Sequence, residues 1–255
     1  SQKFTEVSVL GVNFIQATVQ QFLNQVYQDS LDQQNRFIVT ANPEIVLTAR
    51  ANHKYAQIVA GADYTTADGI GIIKGAQILG TPLPERITGF DSMLALLKWA
   101  SQHHKRVFLL GAKPEVVKAA VTKVEVKFPG IKICGWQDGY FEDEDAVAEK
   151  IRSAHPDFVF AALGFPKQEY FIAKYRHVAD AIWMGVGGSF DVLAGFAQRA
   201  PQKWQDHHVE WLYRLLKEPS RIGRMMALPK YLGLVYLQKL TDRKSTRLNS
   251  SHITI

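Results

Sequence analysis

The sequence predicts an α/β fold: a mainly parallel sheet with helices on both faces, followed by a C-terminal helical appendage. Three observations carry the prediction. Short β-branched or aromatic runs alternate with helical stretches between residues 7 and 188, the rhythm of repeated βαβ units. Two of those runs, 106–112 and 157–164, are almost continuously apolar, as central parallel strands covered on both faces must be. From Gln198 to Leu240 strand-like text stops, and helical text broken by Pro201, Pro219 and Pro229 takes over.

The elements follow in order. VSVLGVNF (7–14) reads as a first strand and ATVQQFLNQVYQDSL (17–31) as a helix by the spacing of its apolar residues. RFIVTAN (36–42) is a strand, and PEIVLTARAN (43–52) a helix opened by proline. DYTTAD (63–68) leads into GIGIIKGAQIL, and FDSMLALLKWASQHH (90–104) precedes the apolar strand RVFLLGA (106–112). PEVVKAAVTKVEVKF, IKICGWQ (131–137), DEDAVAEKIRSAH, DFVFAALG (157–164), KQEYFIAKYRHV and AIWMGVGG (181–188) continue the alternation. The appendage reads as QDHHVEWLYRLLK, PSRIGRMMAL and PKYLGLVYLQKL. This divides the chain into an α/β core (1–197), a basic amphipathic appendage (198–240) and a polar tail (241–255) that reads like a vector-derived scar outside the fold.

Composition narrows the function classes. With 47% apolar and 21% charged residues, the 255-residue chain is that of a soluble globular protein with a buried core. No apolar run approaches the roughly 18 residues of a membrane-spanning helix, and the start SQKFTEVSV lacks a signal-peptide profile. The single cysteine, Cys134, excludes an intramolecular disulfide and a multi-cysteine zinc site, so a reducing cytoplasm is the expected compartment. Residues 1–197 carry 19 Lys/Arg against 20 Asp/Glu, whereas residues 198–240 carry 8 against 3. A near-neutral body with a basic, aromatic end is expected to meet something anionic there.

In an open, Rossmann-like parallel sheet, ligands bind beyond the carboxyl ends of the strands, so polar residues at those ends are the candidates. Asp68 follows a strand and precedes a glycine that opens a helix, where its carboxylate serves as a general base or merely caps the helix. Thr40 and Asn42 leave another strand just before Pro43, suited to reading a sugar or to forming a turn and cap. Gly111 and Gly164 follow apolar strands, where bare backbone admits a phosphate or simply allows a tight turn. Gly69-Ile70-Gly71-Ile72-Ile73-Lys74-Gly75 is one residue too long for the dinucleotide fingerprint. Glu142-Asp143-Glu144-Asp145 contains a D-x-D pattern but reads as acid at a helix start, so no metal is expected. His103-His104 and His207-His208 diverge on a helix, and no nucleophile elbow is present. Arg214, Lys217, Arg221 and Arg224 recur at near-helical spacing among Trp211, Tyr213, Met225 and Tyr231, as in a segment that lies on a membrane surface or in a solvated basic face over a core-packed apolar one.

TANPEIV, ADGIG, PERITGFD, FLLGAKPEVV, GFPKQE, GVGGSFDVLAG and RAP…EWLYRLLKEPSRIGR, taken in order and spacing, resemble the WecG/TagA/CpsF family of bacterial glycosyltransferases, family 26, over about residues 6–240. The resemblance implies the activity of the members that build the wall teichoic acid linkage unit. That activity moves N-acetylmannosamine, with inversion, from UDP-N-acetylmannosamine to the 4-hydroxyl of undecaprenyl-diphosphate-linked N-acetylglucosamine. It further implies Asp68 as catalytic base, Thr40 and Asn42 around the donor sugar, Arg86 and Gln168 lining the same pocket, and Arg214, Arg221 and Arg224 closing over the diphosphate. No metal or other cofactor is implied, and the expected location is peripheral, on the inner face of the cell membrane. Members often self-associate through exposed apolar helix faces, so a homo-oligomer stays open. Rival readings are another donor, N-acetylmannosaminuronic acid or glucose, and a non-catalytic nucleotide- or nucleic-acid-binding protein. Nucleic acid is not expected as a partner, because no recognised binding motif accompanies the charge.

Overall fold

A computed structural model describes residues 4–251. Its first two strands, β1 (Glu6–Val9) and β2 (Val12–Ile15), form an antiparallel hairpin where the sequence predicts one strand. The reason is the Leu10-Gly11 pair, whose φ values of 50° and 86° turn the chain within two residues. Val7, Val9, Val12 and Phe14 face inward from both arms, so the apolar alternation survives the turn and conceals it.

Helix α1 (Val19–Leu31) starts at a Thr18–Gln21 capping box and feeds β3 (Arg36–Ala41). Helix α2 (Pro43–Ala51) is followed at once by α3 (His53–Ala60), because Asn52 ends one helix and its side chain caps the next. Strand β4 (Tyr64–Ala67), α4 (Ile70–Leu79), α5 (Gly89–Gln102), β5 (Arg106–Gly111) and α6 (Pro114–Lys127) come next. Then β6 (Lys132–Gln137), α7 (Glu144–Ala154), β7 (Phe158–Ala162), α8 (Lys167–Tyr175), β8 (Ile182–Gly185) and the short α9 (Ser189–Leu193) complete the core.

Six strands form one all-parallel sheet in the order β4-β3-β8-β7-β5-β6. One apolar cluster, around Phe37, Tyr55, Phe108, Phe171 and Trp183, fills the face covered by α2, α3, α4, α7 and α8. A second, around Phe22, Met93, Leu97, Phe158 and Phe160, fills the face covered by α1, α5 and α6. The predicted α/β class with helices on both faces is the observed one. The chain leaves β5 toward β6 and leaves β7 in the opposite direction toward β8, so the crevice-forming switch lies between β5 and β7.

The appendage comprises α10 (Gln202–Asp206), α11 (Glu210–Lys217), α12 (Ile222–Met225) and α13 (Ala227–Ser251). Pro229 does not break α13, because it sits in the first turn, where no intrahelical N–H is needed. The helix also runs into the stretch read as a polar tail outside the fold. There exposed side chains need no burial, and Thr241 and Ser245 donate back to Leu237 and Thr241 carbonyls. The last residues of that stretch, 252–255, lie outside the described residues. Tyr231 and Val235 are buried in the first apolar cluster, so α13 is packed into the core and not merely attached to it.

Candidate active site

The carboxyl ends of five neighbouring strands line one edge, in the order Asp68 (β4), Thr40 and Asn42 (β3), Gly187 (β8), Gly164 (β7) and Gly111 (β5). At ~4.8 Å per strand, Asp68 and Gly111 are about 19 Å apart, room for an extended ligand of nucleotide and sugar.

Asp68 is fixed by the strand ladder, since its N–H donates to the Ala41 carbonyl at 3.0 Å. Its carboxylate Oδ2 accepts the Gly89 N–H at 3.3 Å, and its carbonyl accepts from Arg86 Nε at 2.6 Å. The residue as a whole keeps partial solvent exposure, while its carboxyl is enclosed by protein atoms. Burial among protein atoms pushes the carboxyl above the ordinary aspartate value, while Arg86, the Gly89 N–H and Arg214 pull it back and Glu210 adds to the rise. The result is an aspartate more basic than one in water.

The opposite wall comes from the appendage. Glu210, at the start of α11 and only 8% exposed, lies 3.3 Å from Arg86 Nη1 and 3.8 Å from Arg214 Nη2. Arg199 holds Asp91 with two hydrogen bonds of 2.7 and 2.9 Å, and its charge also bears on Asp68 and Glu210. Helix α4 receives α13 through its glycines: a Cβ on Gly71 would lie 2.9 Å from Leu228, and one on Gly75 2.2 Å from the Tyr231 hydroxyl. The glycine-rich string 69–75 is therefore a helix-packing surface, which is why its spacing misses the dinucleotide fingerprint.

Thr40 donates to the Gly185 carbonyl at 3.4 Å and sits against Gly89, whose added Cβ would be 2.9 Å from Thr40 Oγ1. It thus joins the Asp68 wall to β8. Asn42 uses its side-chain oxygen to cap α2 through Ile45 N–H at 3.0 Å. Gln168 is buried, with Oε1 accepting the Gly187 N–H at 3.0 Å and Nε2 donating to Glu169 at 3.4 Å, so its amide braces the β8 turn. Gly111 and Gly164 have φ values of 119° and 74°, and a Cβ on Gly111 would lie 2.4 Å from the Ala162 carbonyl. Both turns need glycine for conformation, at the switch end of the edge. Arg214 is part of the Asp68 cluster, whereas Arg221 and Arg224 act on Glu44 at the start of α2, lowering a carboxyl that burial raises. Among residues 142–145, Asp143 caps α7, Glu144 pairs with Lys174 at 3.3 Å and Asp145 accepts from Tyr175 at 2.6 Å. Burial pushes the Cys134 thiol up to about 11, in keeping with a packed side chain in β6.

Three residues of the site escape sequence reading: Arg199, Glu210 and the buried Glu169. Burial pushes Glu169 up to about 7. The one available signal is that Glu210 and Arg214 are four apart on a short amphipathic helix, the spacing of a pair that shares a face.

A family model described as the Glycosyl transferase WecG/TagA/CpsF family matches residues 7–245. Three similar proteins carry the name N-acetylglucosaminyldiphosphoundecaprenol N-acetyl-beta-D-mannosaminyltransferase. That of Bacillus spizizenii W23 is 44% identical over 235 residues, 91% of each chain. That of Bacillus subtilis 168 is 37% identical over 240 residues, 93% of each chain. That of Staphylococcus aureus MW2 is 39% identical over 244 residues, 94% of this chain and 96% of the other.

Proposed function

The chain belongs to the WecG/TagA/CpsF family of glycosyl transferases, and from that premise we propose that it is an inverting N-acetylmannosaminyltransferase. The donor is UDP-N-acetylmannosamine, and the acceptor is the 4-hydroxyl of N-acetylglucosamine on undecaprenyl diphosphate. The observation that carries the reading is Asp68: a strand-end carboxyl made more basic by burial, whose own carbonyl holds Arg86 and whose surroundings include Arg214.

In this reading the acceptor hydroxyl gives its proton to Asp68 as its oxygen bonds to the anomeric carbon. The bond from that carbon to the phosphate oxygen breaks on the opposite face, and its electron pair leaves with UDP. One base and a cationic environment for the departing diphosphate are what such a displacement requires. Thr40 and the Gly89 turn flank the reacting sugar, and the edge toward Gly164 and Gly111 accommodates the nucleotide. Arg221 and Arg224 approach from the appendage as the lipid-linked acceptor enters.

The protein acts as a peripheral enzyme on the inner face of the membrane. No helix among the described residues is long and apolar enough to cross a bilayer. Leu216, Ile222, Met226, Tyr236, Leu237 and Leu240 are exposed on the appendage, beside its excess of basic residues. Each basic residue near an anionic surface contributes ~1 kcal/mol, enough in combination for reversible docking.

The test is incubation with UDP-N-acetylmannosamine, UDP-N-acetylmannosaminuronic acid or UDP-glucose and a soluble lipid-diphosphate N-acetylglucosamine analogue, with product mass and anomeric configuration read out. An inverted N-acetylmannosaminyl product supports the reading; exclusive use of another donor, or retention, overturns it.

A further inference from the structure

Glu210 stands apart from the other acids of the appendage. Asp206 and Glu218 are exposed, whereas the Glu210 side chain is 10% exposed and lies between two guanidiniums. An acid in the first turn of a helix is favoured by the helix dipole, but that alone places the carboxylate in solvent and does not require burial. Here it is turned inward, where its two oxygens are shared: Oε1 with Arg86 of the core at 3.3 Å, Oε2 with Arg214 of its own helix at 3.8 Å. Arg86 is itself anchored by its Nε to the Asp68 carbonyl. A continuous chain therefore runs from Asp68 through Arg86 and Glu210 to Arg214.

From this chain of contacts we infer that Glu210 is a positioning residue, one that ties Arg86 of the core to Arg214 of the appendage and keeps both guanidiniums beside Asp68 without letting them collapse onto its carboxylate. The inference rests on Asp68 being the base of the proposed reaction. The charged groups around Asp68 are Arg86 from the segment leading into α5, Arg199 with its partner Asp91, and Glu210 and Arg214 from α11. Glu210 is the acid that opposes the two arginines nearest to it. With its charge gone, Arg86 and Arg214 repel each other in a half-buried space, and their attraction is free to act on Asp68. The base then becomes more acidic, and the cations drift from the positions that meet the leaving diphosphate.

Glu210→Gln keeps the size and removes the charge; Glu210→Asp keeps the charge on a shorter arm. Three readouts on the full chain test the role: the pH profile of kcat/KM, kcat at saturating donor, and backbone hydrogen exchange across α11. In Glu210→Gln the acid limb is expected to move to lower pH, kcat to fall ~10–100-fold, and α11 to exchange faster, with Glu210→Asp restoring the limb toward wild type. Faster exchange with an unmoved limb and unchanged kcat overturns the positioning role and leaves a strut. Unchanged exchange together with an unmoved limb overturns the tie itself. If the wild-type protein transfers none of the sugars, the proposed reaction has failed, and the exchange measurement still decides whether Glu210 ties α11 to the core.

Discussion

Glu169 offers a quantitative test of how the site is braced. Its side chain is buried at 2% exposure, receives Gln168 Nε2 at 3.4 Å, and leaves Oε2 without a partner. Burial pushes its carboxyl from the ordinary 4.5 to about 7. Below 4.5 the group is protonated in both the folded and the unfolded chain and takes nothing from stability. As pH rises through the window from 4.5 to about 7, the unfolded chain ionises first, so stability falls; above about 7 the loss levels off. At ~1.4 kcal/mol per pH unit the full window corresponds to about 3 kcal/mol, most of which falls between pH 5 and pH 8. Glu169→Gln removes the ionisation and keeps the shape. Denaturant unfolding of both proteins at pH 5 and pH 8 should therefore show the variant gaining on wild type at the higher pH by an amount of that order. Equal pH dependence in the two proteins would refute a buried, proton-holding Glu169 and with it the account of how Gln168 is held.

Further expectations follow from the same contacts. Gly75→Ala should cost ~1–3 kcal/mol in unfolding experiments by driving Tyr231 from its seat; combining it with Tyr231→Phe, which deletes a buried hydroxyl lacking a partner, should cost less than the sum of the single changes, and strict additivity would speak against the contact. Activity should survive EDTA, because the carboxylates of 143–145 are engaged with a helix cap, Tyr175 and Lys174; loss by chelation with rescue by magnesium or manganese would overturn this. Tyr236, Leu237 and Leu240 share one face of α13, so Leu237→Ser with Leu240→Ser should weaken binding to anionic vesicles while leaving turnover of a soluble acceptor intact; unchanged vesicle affinity would remove that face from the docking surface.

The α/β class and every strand of the parallel sheet were legible in the sequence, because buried parallel strands leave runs such as RVFLLG and FVFAA that nothing else explains as simply. The hairpin at Leu10-Gly11 was not, since a turn with one non-glycine residue at positive φ leaves the apolar alternation intact. Helix α3 was hidden by Asn52, which serves two helices at once. At the candidate site, strand-end position singles out Asp68 and Thr40 as candidates. Arg86 and Gln168 came from the family resemblance instead. Glu210 and Arg199 were invisible because their roles depend on α11 and its approach folding back over the sheet edge. An acid on a basic amphipathic helix reads as solvated until its tertiary partner is known. The packing of Tyr231 and Val235 into the core likewise shows why residues 198–240 are better probed by point substitutions than by truncation, which would uncover apolar core.

The central claim is that Asp68 takes the acceptor's proton, and the most direct measurement is transfer by Asp68→Asn to a soluble acceptor across a range of pH. The amide matches the carboxylate in shape but cannot accept the proton, so turnover should fall by ~10²–10⁴ while UDP affinity and folding hold. Wild-type activity should fall on the acid side with a midpoint above the ordinary aspartate value, as burial of the carboxyl requires, and the variant should lack that limb. An Asp68→Asn protein that transfers sugar at near wild-type rate, or that keeps the same acid limb, would contradict the account.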